Sequence, residues 1–283
     1  MFLSALISAL NGAVAKILSE DLSALEIVFF RNLIGAVFIL LMLRHTPTQL
    51  PGGKLHLLVL RGIFGFSAMI LFFYTITVIP LGEAITLNKT SPLFVAVLAF
   101  FLLNERLNLN GITAIVIGFV GILFITKPYG LAISYEHFLG ILGGFFAASA
   151  YATIKKIKHL YDARVIVLSF MAAGILLPLL LFSVTPYIHP PEALSFLFVN
   201  LNIPTTLNLW LLILSMAIIS TLSQWLLTKA YSLSKAGIIG VIGYINIPFA
   251  IGFGYMLGDG FPDFWAFVGI SFIIMGGLMV KRG

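Results

Sequence analysis

Residues 24–43 read ALEIVFFRNLIGAVFILLML. At a helical rise of about 1.5 Å per residue, a run of this length spans about 30 Å, the thickness of a bilayer's hydrocarbon core. Its ionisable groups are Glu26, near the start, and Arg31. Everything else is apolar or small apart from Asn32. Such a segment is the unit from which a membrane protein is built, and similar runs recur along the chain.

Runs bounded by charge, Pro, Gly or Asn fall at 2–18, 24–43, 56–79, 82–103, 108–126, 137–157, 163–183, 207–230, 236–257 and 263–281. Ten such spans with short connections use nearly all of the 283 residues. The composition agrees: 60% of residues are hydrophobic and 9% charged, against about 45–50% and about 25% in soluble domains. A soluble globular enzyme is excluded, because so few charges cannot coat a globule of this size. Disorder and collagen are excluded by the aliphatic content, and a disulfide scaffold by the absence of cysteine. Met1 to Leu18 has no basic leader and reads as the first span rather than a cleaved signal. The segment Thr185 to Thr206, with Pro186, Pro190, Pro191 and Pro204, is the one long connection, and its apolar piece 194–199 predicts an interfacial turn of helix.

The net charge of +6 fits basic residues held in cytoplasmic loops near anionic lipid rather than nucleic-acid binding. With the N-terminus inside, Arg44, Lys54, Arg61, Arg106, Lys155, Lys156, Lys158, Arg164, Lys229, Lys235, Lys281 and Arg282 fall on the inner side, twelve of sixteen cations. Lys127 alone falls outside, and Lys16, Arg31 and Lys89 lie within spans. Glu20, Asp21, Glu26, Glu83, Glu136, Glu192, Asp259 and Asp263 gather at the outer side. The expectation is an all-α polytopic protein with both termini cytoplasmic.

The chain divides near residue 130. Gly111-Ile112-Thr113, Gly118 and Lys127 are echoed by Gly269-Ile270-Ser271, Gly276 and Lys281-Arg282, and Pro92 by Pro248. Five spans per half is an odd number, so halves 1–130 and 131–283 must be inverted relative to one another. Inverted repeats are a hallmark of secondary transporters with a site near the midplane.

Several stretches resemble the EamA branch of the drug/metabolite transporter superfamily: Glu26-Ile27-Val28-Phe29-Phe30-Arg31-Asn32, Pro80-Leu81-Gly82-Glu83-Ala84, Ser91-Pro92-Leu93-Phe94, Asn104-Glu105-Arg106-Leu107, Gly118-Phe119-Val120-Gly121-Ile122-Leu123 and Lys127-Pro128. The second half departs, with Gly258-Asp259-Gly260 where a Gly-Glu pair is common in that family. The resemblance implies ten helices in two inverted five-helix repeats, with spans 1, 3, 4, 6, 8 and 9 around a central cavity and spans 5 and 10 at the periphery. It further implies small polar metabolites as cargo.

Ionisable residues inside spans are costly and are functional candidates by default. Arg31 and Lys89 each lie roughly 9–11 Å below the outer helix ends and suit a carboxylate or phosphate. For Arg31, pairing with Glu26 or a helix-end carbonyl is an equal alternative; Lys16, nearer its helix end, reads as a snorkelling side chain. No acid lies deep in a span, which disfavours a carboxylate proton relay and favours uniport or exchange of an anionic or zwitterionic solute. Asn11, Tyr74, Asn88, Tyr151, Gln224, Trp225, Tyr244 and Asn246 are the other binding candidates, with Gln224-Trp225 offering an amide beside a ring. Pro92, Gly240, Gly243 and Pro248 are the hinge candidates.

The expected cargo is an amino acid, an amino-acid derivative or a similar solute; the alternative is a nucleotide-derived or vitamin-like metabolite such as S-adenosylmethionine. A remote alternative, a membrane-embedded lipid-modifying enzyme, would have to use His45 and His56 beside Arg44, Lys54 and Arg61. The five histidines flank spans and form no metal set, so no metal, cofactor or nucleic acid is expected. The expected partners are a small solute and the lipid bilayer of a bacterial inner membrane, and a homodimer is left open.

Overall fold

Ser23 and Glu26 open the stretch quoted first. The Ser23 hydroxyl accepts from the Glu26 amide at 3.3 Å, and the Glu26 carboxylate accepts from the Ser23 amide at 2.8 Å. This capping box satisfies two orphan donors and starts α2 (Ala24–His45). The other carboxylate oxygen of Glu26 accepts from the Asn202 amide at 2.6 Å. Glu26 is therefore fully engaged at the helix end and leaves Arg31 without it, which settles the pairing weighed for these two residues.

The computed structural model describes residues 2–46, 50–91, 93–95, 97–98, 109–126, 134–233 and 246–280. Around α2 run α1 (Phe2–Leu18), α3 (Leu55–Val78), α4 (Leu81–Asn88), α5 (Leu109–Thr126), α6 (Tyr135–Ile157), α7 (Ala163–Val184), α8 (Leu207–Leu233), α9 (Asn246–Met256) and α10 (Phe264–Val280). Short 3-10 turns occupy Thr185–Tyr187 and Glu192–Leu197, where the Pro-rich connection was expected to carry an interfacial piece. Among the described residues there is no strand. The spans expected at 82–103 and 236–257 lie partly outside the described residues, and α4 and α9 belong to their described parts.

Among the described residues five helices are long and apolar enough to cross a membrane: α2, α3, α6, α7 with its extension to Tyr187, and α8. The shorter apolar helical segments are Leu3–Leu18, Val116–Ile125 and Phe264–Gly276. Their outward faces remain greasy. Leu176 and Leu180 of α7 and Leu40 and Leu41 of α2 are each about half exposed or more. In water such a surface would aggregate; against lipid it is at home. The protein is an integral membrane protein of helices.

Two packing features place the site. Gly121 of α5 and Gly269 of α10 meet backbone to backbone: a Cβ on either would stand 2.6–2.7 Å from the other's carbonyl oxygen. Only glycine allows so close an approach, and it pairs α5 with α10 to one side. The remaining helices form the other packing group, with α1 against α8 and α9, α3 against α6 and α7, and α4 against α6 and α9.

The second feature is a break. The span expected to continue from 82 to 103 is interrupted after Asn88: Lys89 and Thr90 form a turn before helical backbone resumes at Ser91. Lys89 still donates to Ile85 O at 2.9 Å, but Thr90 donates to Leu87 O at 3.1 Å, one residue short of α-helical spacing. The sequence supplies the cause. Residue 92 is proline, so the Asn88 carbonyl has no amide four residues on to receive. The hydroxyl of Thr90 covers part of the gap by donating to Leu87 O at 2.6 Å.

Candidate functional site: a cationic cavity between the helices

One cavity gathers seven of the polar residues buried in the bundle, Ser4, Asn11, Arg31, Arg61, Ser220, Ser223 and Asn246. Each principal wall is a helical stripe, at the three- and four-residue spacing that puts side chains on one face. From α1 come Ser4, Ala5, Ser8 and Asn11; from α3, Arg61, Gly65, Ala68, Met69 and Phe72. From α6 come Ala147, Ala150 and Tyr151; from α8, Ser220, Ser223, Gln224 and Leu227. Ile85, Asn88 and Lys89 enter at the break after α4, and Asn246 at the start of α9. Arg31 of α2 and Phe170 of α7 each reach in singly. Among the described residues none of α5 or α10 lines it.

The walls are tied together by polar contacts. Asn246 Nδ2 donates to Ala5 O at 2.8 Å, and the hydroxyls of Ser4 and Ser223 each donate to the other's carbonyl at 3.4 Å. These bonds hold α1 to both α8 and α9.

Three cations face this cavity. Arg31 is 3% and Arg61 2% exposed, and Lys89 is half-buried. Each guanidinium lies over an aromatic ring, Arg31 at 5.3 Å from the centre of Phe73 and Arg61 at 5.2 Å from that of Phe170. Such contacts return about 0.5–2 kcal/mol, well below the several kcal/mol that burying an ion costs. Neither has a carboxylate. Arg31 Nε and Arg61 Nε and Nη1 are buried without a hydrogen-bond partner. Among the described residues no Asp or Glu lines the cavity. Gly65 lets Arg61 lie flat along α3, because a Cβ there would collide with Nη1 and with the Phe170 ring.

Of the residues expected to bind solute, Asn11, Arg31, Asn88, Lys89, Tyr151, Gln224 and Asn246 line this cavity. Tyr74 does not. It follows Phe72 by two residues, so it projects from the opposite side of α3, and its ring stacks on Phe196 at 4.2 Å. Trp225 does not either. Consecutive helical residues are turned by about 100°, so only Gln224 of the pair faces in, while the Trp225 ring receives the Lys229 ammonium at 5.1 Å. Tyr244 and the hinge candidates Pro92, Gly240 and Gly243 lie outside the described residues. Pro248 stands in the first turn of α9 and outside the cavity lining. His45 and His56 are exposed and line nothing.

Arg61 is the residue sequence reasoning missed. Assigned to the basic inner flank, it lies instead six residues into α3, about 9 Å from the helix start. That is as deep as Arg31 lies in α2, so one depth criterion applied to both would have found it.

The two ends of the bundle are closed differently. At the end rich in acids, Asp259 joins three elements. One carboxylate oxygen is paired with Lys16 of α1, and the other accepts from the Leu81 amide at 2.9 Å, at the start of α4. Carboxylates are favoured there by the helix dipole. Nearby, Glu83 of α4 approaches His137 of α6 at 3.5 Å, an ion-pair distance rather than a hydrogen bond. At the basic end, Arg164 donates to Thr46 O at 2.9 Å and to Met42 O at 3.3 Å, and Lys158 donates to Ser232 O at 3.2 Å. The stacked rings of Tyr151 and Tyr231, 4.5 Å apart, stand at the same side of the cavity.

Residues 1–127 match the EamA-like transporter family. Over 272 residues the chain is 30% identical to the pseudopaline exporter CntI of Pseudomonas aeruginosa, covering 95% of this chain and 90% of the relative. The chain belongs to the EamA-like transporter family. An S-adenosylmethionine uptake transporter of Rickettsia prowazekii is 25% identical over 92% of this chain and 84% of its own length. A solved crystal structure that is 15% identical covers 99% of this chain and 96% of its own with a TM-score of 0.66, which bears on the fold alone. Membership in this family makes the protein a transporter and not an enzyme, and its cargo a small molecule.

Proposed function

We propose that this EamA-family protein is a secondary transporter that carries a small anionic or zwitterionic metabolite, an amino acid or a derivative in the first instance, across a bacterial cytoplasmic membrane. In this reading ten spans form two inverted five-helix halves, 1–130 and 131–283, with both termini cytoplasmic, and the halves rock about the cavity. The observation that carries the reading is the cavity itself, with Arg31, Arg61 and Lys89 facing one space that, among the described residues, no carboxylate lines. Isolated buried cations persist where they serve a pathway or a ligand.

The ends of the bundle support alternating access. Under this orientation the acidic end is the outside, and Asp259 latches α1, α4 and the α9–α10 connection there. The break after α4 puts Asn88 and Lys89 at an interrupted helix beside the cavity, an arrangement suited to a moving element. A cationic sulfonium solute such as S-adenosylmethionine fits poorly, because three protein cations would repel it. The two relatives act in opposite directions, one as an exporter and one for uptake, so the geometry is read without a direction.

The test is reconstitution into liposomes with counterflow of labelled anionic, zwitterionic and cationic metabolites. Flux of an anionic or zwitterionic solute is expected, and flux of cations alone would defeat the reading. The chain has no cysteine, so a single cysteine at Ser223 reports access to the cavity against a silent background. Labelling from both sides, with ratios that change when solute is added, is expected of alternating access. Labelling from one side under every condition would exclude it.

A further inference from the structure

We propose that the cavity is built for an organic anion carrying at least two acidic groups and one nitrogen that donates hydrogen bonds, with the two arginines holding the acidic groups and Asn11 and Asn246 receiving the nitrogen. The inference rests on the transporter reading for its purpose but not for its chemistry.

The first half of the inference comes from counting charge. A single carboxylate neutralises one cation. Arg31 and Arg61 are both nearly inaccessible, both lack a carboxylate among the described residues, and Lys89 adds a third positive charge at the same space. A neutral zwitterion would bring as much positive charge as negative and leave the cavity as unbalanced as before. A solute with two or more acidic groups lowers the excess and gives each planar guanidinium a bidentate partner. The rings of Phe73 and Phe170 pack against the two guanidiniums, which limits how far the forks can move before the ligand arrives.

The second half comes from unmet acceptors. Asn11 Oδ1 and Asn246 Oδ1 are buried and have no donor. The orientation of Asn246 is set by its own Nδ2, which donates to Ala5 O, so its oxygen is the atom left over. A buried acceptor without a donor costs about 1–3 kcal/mol. An anionic group cannot relieve it, and a ligand N–H can. The cavity thus asks for donors at its amides and for negative charge at its cations, and one solute bearing both satisfies it.

Carboxylate and phosphate share the chemistry that an arginine fork recognises, and the probes separate them. Purified full-length protein is titrated with aspartate, succinate, phosphoserine, alanine and choline, and the same solutes are used in liposome counterflow. Aspartate or phosphoserine is expected to bind at least tenfold more tightly than succinate, which lacks the nitrogen, and than alanine, which lacks the second acidic group. Choline is expected not to bind. The tighter of the two favoured probes identifies carboxylate or phosphate as the second group. Asn11→Leu is expected to weaken aspartate more than succinate and so to shrink the difference between the two probes, which a merely structural asparagine would not do. Arg61→Gln is expected to lose tenfold or more for aspartate, and Arg61→Lys, which keeps the charge but not the fork, to fall between. Equal affinity for succinate and aspartate overturns the role of the amides. Alanine binding as tightly as aspartate, or no binding of any acidic probe to folded protein, overturns the proposal as a whole. Tight binding of aspartate without counterflow would leave the site standing and defeat the transporter reading instead.

Discussion

Lys16 of α1 and Arg31 of α2 are both cations set into apolar helices, and the protein treats them in opposite ways. Lys16 meets the carboxylate of Asp259, which also accepts from the start of α4. Arg31 meets a ring, and its natural neighbour Glu26 is spent on capping α2 and on Asn202. A paired charge near a helix end holds elements together. An unpaired charge in a cavity costs stability and is ready for a ligand. The same sign of charge, a few ångströms deeper, has changed its work.

The contrast predicts opposite signs in two measurements. Arg31→Met is expected to abolish transport and yet to leave the thermal midpoint unchanged or raise it, because an uncompensated buried charge has been removed. Lys16→Met is expected to lower the midpoint by a few degrees while retaining cavity binding, since it strands Asp259. Counterflow and thermal unfolding in detergent, run on both variants, check this. A large loss of stability in Arg31→Met with binding intact would break the comparison.

Arg31 and Lys89 were visible in the sequence because a charge inside an apolar run is conspicuous without any structure. So was part of the polar lining, since Asn11, Asn88, Tyr151, Gln224 and Asn246 are polar residues within spans. Arg61 was hidden by its place near a basic flank, where charge is ordinary. Tyr74 and Trp225 were misplaced for the complementary reason: a polar or aromatic residue in a span announces its depth but not its direction. Direction is set by the 3.6-residue period, and Arg61-Gly65-Ala68-Met69-Phe72 was there to be read as a stripe. The latch between Lys16 and Asp259 joins residues from opposite ends of the chain, and nothing local in either segment signals it.

The latch itself can be taken apart in steps. Asp259→Ala removes both the ion pair and the acceptor for Leu81 N, whereas Asp259→Asn keeps a carbonyl oxygen for that amide. Access of a single cysteine in the cavity to a reagent added at the acidic side is expected to rise most in the alanine variant and less in the asparagine variant. Equal access in both would mean that the pairing with Lys16 alone holds the closure. Glu83→Gln should do less than either. At 3.5 Å its contact with His137 is not a hydrogen bond, and pairs of this kind are worth about 0–1 kcal/mol.

The basic end gives the smallest effect and the clearest sign. Asp162 caps α7 by accepting from the Arg164 amide at 2.8 Å, and its carboxylate also accepts from Arg164 Nε at 2.9 Å. The side-chain hydrogen bond from Arg164 is the main reason that its carboxyl is held below the ordinary aspartate value. A group whose pKa is depressed by folding stabilises the fold above its unfolded value, about 3.9, and that contribution fades as pH falls through the lower folded value. Thermal stability is therefore expected to owe nothing to this group's titration between pH 5 and 8 and to decline only in stronger acid. Asp162→Asn keeps the cap oxygen and loses the charge, so it should cost a small amount at neutral pH and flatten the acid limb. A variant whose stability differs from the parent by the same margin at pH 3 as at pH 7 would show that the charge of Asp162 contributes nothing, and that Arg164 is held by Thr46 and Met42 on the other side of the crossing.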